Sequence, residues 1–261
     1  MTSVALSSFL QSLLLLGSAL TALKLYTTGL YKKYPVFFFY FVFRIPNNLS
    51  PLVLDFRSNT YFFVYLATLP IMLLFYVLMV RELYRLVLED YRGLQTAGRW
   101  AMYISLVCAV AISIATVIPK IRPSMPQRSK VMGYVMVSER GTQTALALFI
   151  LVLLFLLSRY PIRLSRNVRV HAVIYSVFFL SGTITILART VLGLKSMDTW
   201  NLVSSAINLA CVSAWLILLS PVGEKVGERK IGAKGENERR LLLQLEGINA
   251  ALLRISRSKA G

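Results

Sequence analysis

A chain of 261 residues that is 56% hydrophobic, with a mean hydropathy of +0.64 and only 15% charged residues, is too apolar for a soluble domain, whose apolar share is about half. Its net charge of +18 would suit nucleic acid, but the basic residues cluster between apolar runs, where cytoplasmic loops and anionic headgroups account for them better, so nucleic acid is not the expected partner. The composition predicts an all-α, polytopic helical membrane protein of a cell membrane, plasma or bacterial inner.

The opening residues MTSVALSS carry no basic n-region and no small-residue cleavage pattern, so they do not read as a removable signal peptide. Apolar segments follow at about 4–23, 35–54, 61–80, 100–118, 143–158, 170–188 and 201–220, giving seven expected spans. With the N-terminus outside and the C-terminus inside, twenty lysines and arginines fall on the inner side, among them Lys24, Lys32, Lys33, Arg81, Arg85, Arg92 and Arg99, against eight outside. If 35–54 does not cross, the split weakens to seventeen against twelve, which favours seven spans.

In the first segment, Ser7, Gln11 and Ser18 recur at helical spacing and are expected to face other helices. The second, PVFFFYFVFRIPNNLSPLVL, is the unusual one. Tyr40, Arg44, Asn47, Asn48 and Pro51 share one helical side while Phe37, Phe38, Phe39, Phe41 and Phe43 cover the rest, and Pro46 and Pro51 leave the carbonyls of Val42 and Asn47 without their usual donors. The segment is expected to be broken at mid-membrane, with Arg44 either paired to freed carbonyls or presented to an anionic ligand.

Helical pattern continues past the third segment through RELYRLVLEDYR, predicting a helix of roughly 31 residues that projects into the cytosol and stops at Gly93. Residues 119–141 read as an outer loop with five basic residues, a single acid at Glu139 and an apolar patch at Val131–Val137. Arg159, Arg163, Arg166 and Arg169 lie close to one helical face and are expected to anchor on anionic lipid; His171 stands at the membrane edge beside them. The last segment carries a polar stripe at Asn201, Ser204, Ser205 and Asn208, a packing feature by default but a candidate partner for the polar side of the second segment.

The division is therefore a membrane domain over 1–221, a flexible charged linker over 222–235 and a cytosolic helix over 236–261. In that helix Leu241, Leu245, Ile248, Leu252 and Ile255 repeat at alternating spacings of four and three. This is the seam of a short coiled coil pairing two copies or a partner protein; the rival is an amphipathic helix lying on the inner leaflet.

Eleven acids occur and none falls inside an apolar segment as drawn above, which removes the usual intramembrane proton relays and cation sites. One histidine and two distant cysteines supply no metal set and no nucleophile pair, so neither cofactor nor enzymatic chemistry is expected. The candidate ligand residues are Tyr40, Arg44, Asn47, Asn48, Asn201, Ser205 and Asn208. The expected function is a non-enzymatic seven-helix sensor or signalling component with a cytosolic interaction tail. The alternatives are a small transporter or channel for an anionic solute centred on Arg44, and a structural subunit of a membrane complex.

Overall fold

The computed structural model describes residues 2–54, 58–89, 91–115, 127–159, 164–192, 197–224, 240 and 243–252. Among these residues there is no strand, and seven long helices carry the fold: α1 (Thr2–Thr27), α2 (Pro35–Val53), α3 (Asn59–Val87), α4 (Arg92–Ala115), α5 (Gln127–Arg159), α6 (Arg166–Leu192) and α7 (Met197–Leu218). Residues 243–252 form a further short helix, α8. Helices α1, α2, α3, α5, α6 and α7 each hold a stretch long and apolar enough to cross a membrane. α4 is not among these six; the predicted fourth segment is helical to Ala115, and 116–118 lie outside the described residues.

The chain runs up and down. α1 packs on α2 and α7, α7 on α6, α6 on α5 and α5 on α4, while α3 lies against α2, α4, α5 and α6. Gly29, at φ 72°, makes the reversal between α1 and α2 in a left-handed conformation that residues with a side chain adopt at a cost. Phe39, Phe63, Val107, Phe155 and Ile217 point outward and are well exposed, as expected where hydrocarbon rather than water is the solvent. One end of the bundle gathers the junctions α1–α2, α3–α4, α5–α6 and the end of α7, and with them most of the described basic residues; it is called the basic end below. The opposite end holds the close of α2 and the starts of α3 and α5.

Four sequence expectations change. α2 is continuous rather than broken: Pro46 and Pro51 sit inside it, and the Ser50 hydroxyl donates at 3.0 Å to the Asn47 carbonyl that Pro51 leaves free. α3 stops at Val87, and a turn through Leu88 and Glu89 leads directly into α4, so Gly93 lies in the first turn of the next helix. Its last turns do not project, because Met79, Val80, Glu82, Leu83, Tyr84 and Val87 are buried against neighbours. The expected loop 119–141 is helix from Gln127 onward, the start of a 33-residue α5 of about 50 Å.

The expected linker also begins later. Pro221–Glu224 form a 3-10 turn tied to the bundle, with Gly223 buried so close beneath Asn167 that a Cβ there would overlap its side-chain oxygen. Residues 225–239 lie outside the described residues. The predicted seam of the tail divides: Leu245 is buried, Ile248 is exposed, Leu252 approaches Gly93, and Leu241 and Ile255 lie outside the described residues. α8 thus turns Leu245, Asn249 and Leu252 toward its own chain, where Asn249 Oδ1 accepts from the backbone N–H of Gly93 at 2.7 Å and caps α4.

Candidate functional site

The first turn of α2 shows how the basic end is held. Pro35 occupies the first helical position, where its missing N–H costs nothing, and the preceding Tyr34 supplies no side-chain cap. Glu82 of α3 does so instead: its carboxylate accepts from Val36 N at 3.0 Å and Phe37 N at 3.2 Å while only 5% exposed. Drawing the third segment to end at Val80 left this acid outside the bundle; in the fold it is a buried cross-helix cap within α3.

Glu224, just past α7, ties three further elements together. It pairs with Lys33 Nζ at 2.5 Å, accepts from the Tyr34 hydroxyl at 2.7 Å, and accepts from Asn167 Nδ2 at the start of α6. Asn167 also donates to Ser220 O at 2.7 Å. Burial, then the bond to Glu224 and its negative charge, push the Tyr34 hydroxyl above the usual phenol range, so it stays a proton donor.

Inward of this knot the core is aromatic. His171, expected at the membrane edge, is instead fully buried, its ring 4.7 Å from Tyr34 and 4.6 Å from Phe37, with no hydrogen-bond partner for either nitrogen among the described residues. Phe37, Phe41, Tyr175, Phe178 and Trp215 follow in edge-to-face and tilted contacts at 4.9–6.1 Å. This layer joins α2, α6 and α7.

Above the layer stands Arg44. Its guanidinium is 5% exposed, donates to the Tyr40 hydroxyl at 2.9 Å and lies 5.6 Å from the centroid of the Tyr40 ring. Among the described residues it forms no ion pair. Tyr40 one turn earlier on the same helix, rather than a freed carbonyl, is the partner the structure provides.

Beyond Tyr40 the packing opens into a cavity of about 240 Å³ between α1, α2, α3 and α5. Asn47, Asn48, Ser50 and Pro51 form the α2 wall and Gln11 the α1 wall. α3 contributes Tyr61, Tyr65, Thr68, Met72 and Tyr76, and α5 contributes Glu139. Tyr61 to Tyr76 spans fifteen residues of one helix, so the cavity extends roughly 22 Å from the end opposite the basic one toward mid-depth. Tyr76, the last lining residue along α3, has its ring 5.9 Å from that of Tyr40. Glu139 accepts from Gln143 at 3.1 Å one turn along α5, and Asn48 donates to Ser18 of α1 at 3.4 Å.

Of the residues expected to form a site, Asn47 and Asn48 line this cavity, while Tyr40, packed on the lining Tyr76, and Arg44, bonded to Tyr40, do not. Asn201, Ser205 and Asn208 do not line it: α7 packs against α1 and α6, and Asn201 is exposed. The basic cluster is spread, with Arg159 ending α5, Arg166 and Arg169 exposed on the first turns of α6, and Arg163 outside the described residues. Sequence reasoning missed the α3 wall. Tyr61, Tyr65, Thr68, Met72 and Tyr76 recur at intervals of three and four, a readable stripe in an otherwise aliphatic run. Glu139 was missed because its segment reads as a loop.

No family model, no curated protein and no solved structure matches this chain.

Proposed function

We propose that this chain is a non-enzymatic, seven-span membrane sensor of a cell membrane, with its N-terminus outside and its tail in the cytosol, which binds a small polar solute in the cavity between α1, α2, α3 and α5. The observation that carries the reading is the shape of that cavity. Its α3 lining stops at Tyr76, whose ring packs 5.5–5.9 Å from those of Tyr40, Phe178 and Phe179, which supports reading the cavity as closed toward the basic end. A blind cavity suits binding, whereas transport needs a second opening.

Its lining favours neutral or cationic solutes. Hydroxyls and amides dominate, Glu139 is acidic, and among the described residues neither lysine nor arginine takes part. Arg44, the centre of the anionic-solute alternative, is not among the lining residues and donates to Tyr40 instead. The volume lies below the ~300–1,000 Å³ of drug-sized sites, so the solute is a small polyol, amine or amino acid. Binding there draws α2 and α3 together, and both helices continue into the basic end where α8 is docked.

Thermal unfolding of the full chain in detergent, across a panel of such solutes, tests the reading. At a hundred times its dissociation constant a true ligand stabilises by ~2.7 kcal/mol. That stabilisation should vanish in Asn48→Leu and Thr68→Val. Flux of the same solute through liposomes would point to transport, and stabilisation that survives both substitutions would move the site elsewhere.

A further inference from the structure

A second, smaller void of about 110 Å³ lies at the basic end, between the last turns of α3 and the first turns of α4. Arg81 and Arg85, one turn apart on α3, face Gln95, Thr96 and Arg99 of α4 across it, with Tyr84 and Met102 completing the wall. Spacings of four on α3 and of three and four on α4 place these donors on the two facing sides. The corner is fixed: the Tyr84 hydroxyl donates to Leu94 O at 2.9 Å, Gln95 Nε2 donates to Arg85 O at 3.3 Å, and Asn249 of α8 caps the start of α4. Gly98 lies so close under Tyr84 that a Cβ there would overlap its hydroxyl.

Three exposed arginines thus line one small void, and none of their guanidinium groups makes a hydrogen bond or an ion pair among the described residues. Glu82, the acid nearest in sequence on α3, feels the charge of Arg85, but both its carboxylate oxygens accept from the first turn of α2 and it does not line the void. Glu89, at the α3–α4 turn, is exposed and does not line the void. Like charges held together in this way repel unless an anion joins them, and planar guanidinium groups bind phosphate oxygens in bidentate fashion. The depth selects the source. The void sits at the ends of two helices beside exposed Trp100, with Met102 as its apolar wall, where the headgroups of a bilayer lie.

We infer that the α3–α4 corner is a binding site for the phosphate of an anionic phospholipid headgroup, held by Arg81, Arg85 and Arg99. It is separate from the solute cavity, and from Arg166 and Arg169 on α6. The full chain, exchanged into detergent and titrated with short-chain phosphatidylglycerol, phosphatidylcholine and inorganic phosphate, is read by native mass spectrometry. Phosphatidylglycerol is expected to be retained in a one-to-one complex in preference to phosphatidylcholine, and Arg85→Ala with Arg99→Ala to weaken it by about thirty-fold. Arg99→Lys should lose less than Arg99→Ala, and the pair Arg166→Ala, Arg169→Ala should leave it unchanged. Melting in phosphatidylcholine alone confirms that the variants fold. Equal retention of both lipids, no loss in the Arg85, Arg99 variant, or inorganic phosphate binding as tightly as the lipid would each overturn the assignment.

Discussion

The two halves of the bundle are packed to different degrees. At the basic end long-range contacts join the elements: Glu82 caps α2, Glu224 holds Lys33, Tyr34 and Asn167, and Asn249 caps α4, while His171 lies buried in the aromatic core with neither nitrogen partnered among the described residues. In the other half Asn47, Tyr61, Tyr65 and Thr68 line open space. Burial follows the same division. α3 buries Met79 through Val87 almost continuously, but in its first half only Leu69 is fully covered. A void forgoes the dispersion contacts its walls would otherwise make, so the loosely packed half is expected to contribute less to stability than the closed one.

The largest expected effect comes from breaking the closed half at Glu82. Glu82→Ala removes two charge-assisted bonds and uncaps α2, at a cost of about 3 kcal/mol. It should lower the melting temperature in detergent sharply, and Glu82→Gln should recover part of the loss. Gly223→Val comes next, since any Cβ there must displace Asn167 from Glu224 and Ser220; a cost of ~2 kcal/mol is expected.

Tyr34 gives the third, through pH. Its folded-state proton affinity is raised above that of the unfolded chain, so its share of stability is fully present below the ordinary phenol value near 10 and is lost as pH climbs above it. Alkaline unfolding should therefore be shallower in Tyr34→Phe than in the parent. The smallest stability effect belongs to the open half. Asn48→Leu or Thr68→Val should change melting by less than about 1 kcal/mol while abolishing solute binding, and a large loss from either would show that the cavity is as structural as the knot.

Helices and the basic end were legible in the chain because they depend on local composition: runs near twenty apolar residues and lysines or arginines between them. Arg44 with Asn47 and Asn48 was legible too, as a polar stripe on a phenylalanine-rich helix. What escaped was set by contacts distant in sequence. Nothing near Glu82 announces that it will cap a helix starting 47 residues earlier at Pro35, and nothing near Asn249 points to Gly93. Pro46 and Pro51 suggested a break because propensity rules treat a lost backbone donor as fatal, whereas Ser50 supplies a substitute for one of the two. The segment 127–141 read as a loop because its charges masked a helix that continues into a strongly apolar run. The heptad pattern of the tail was real as periodicity but silent about its partner, which for Leu245, Asn249 and Leu252 is the α3–α4 corner of the same chain.

The contrast between the halves can be measured directly with thiols in sealed, oriented vesicles. Cys211 is buried at 3% exposure in the packed half and serves as an internal probe; Cys108 is removed as Cys108→Ser, and Thr68→Cys places a thiol in the cavity. A membrane-impermeant maleimide is expected to label position 68 from the side opposite the tail only, and Cys211 from neither side. Labelling of position 68 from the tail side, or of Cys211 from either, would contradict a blind cavity closed by an aromatic floor.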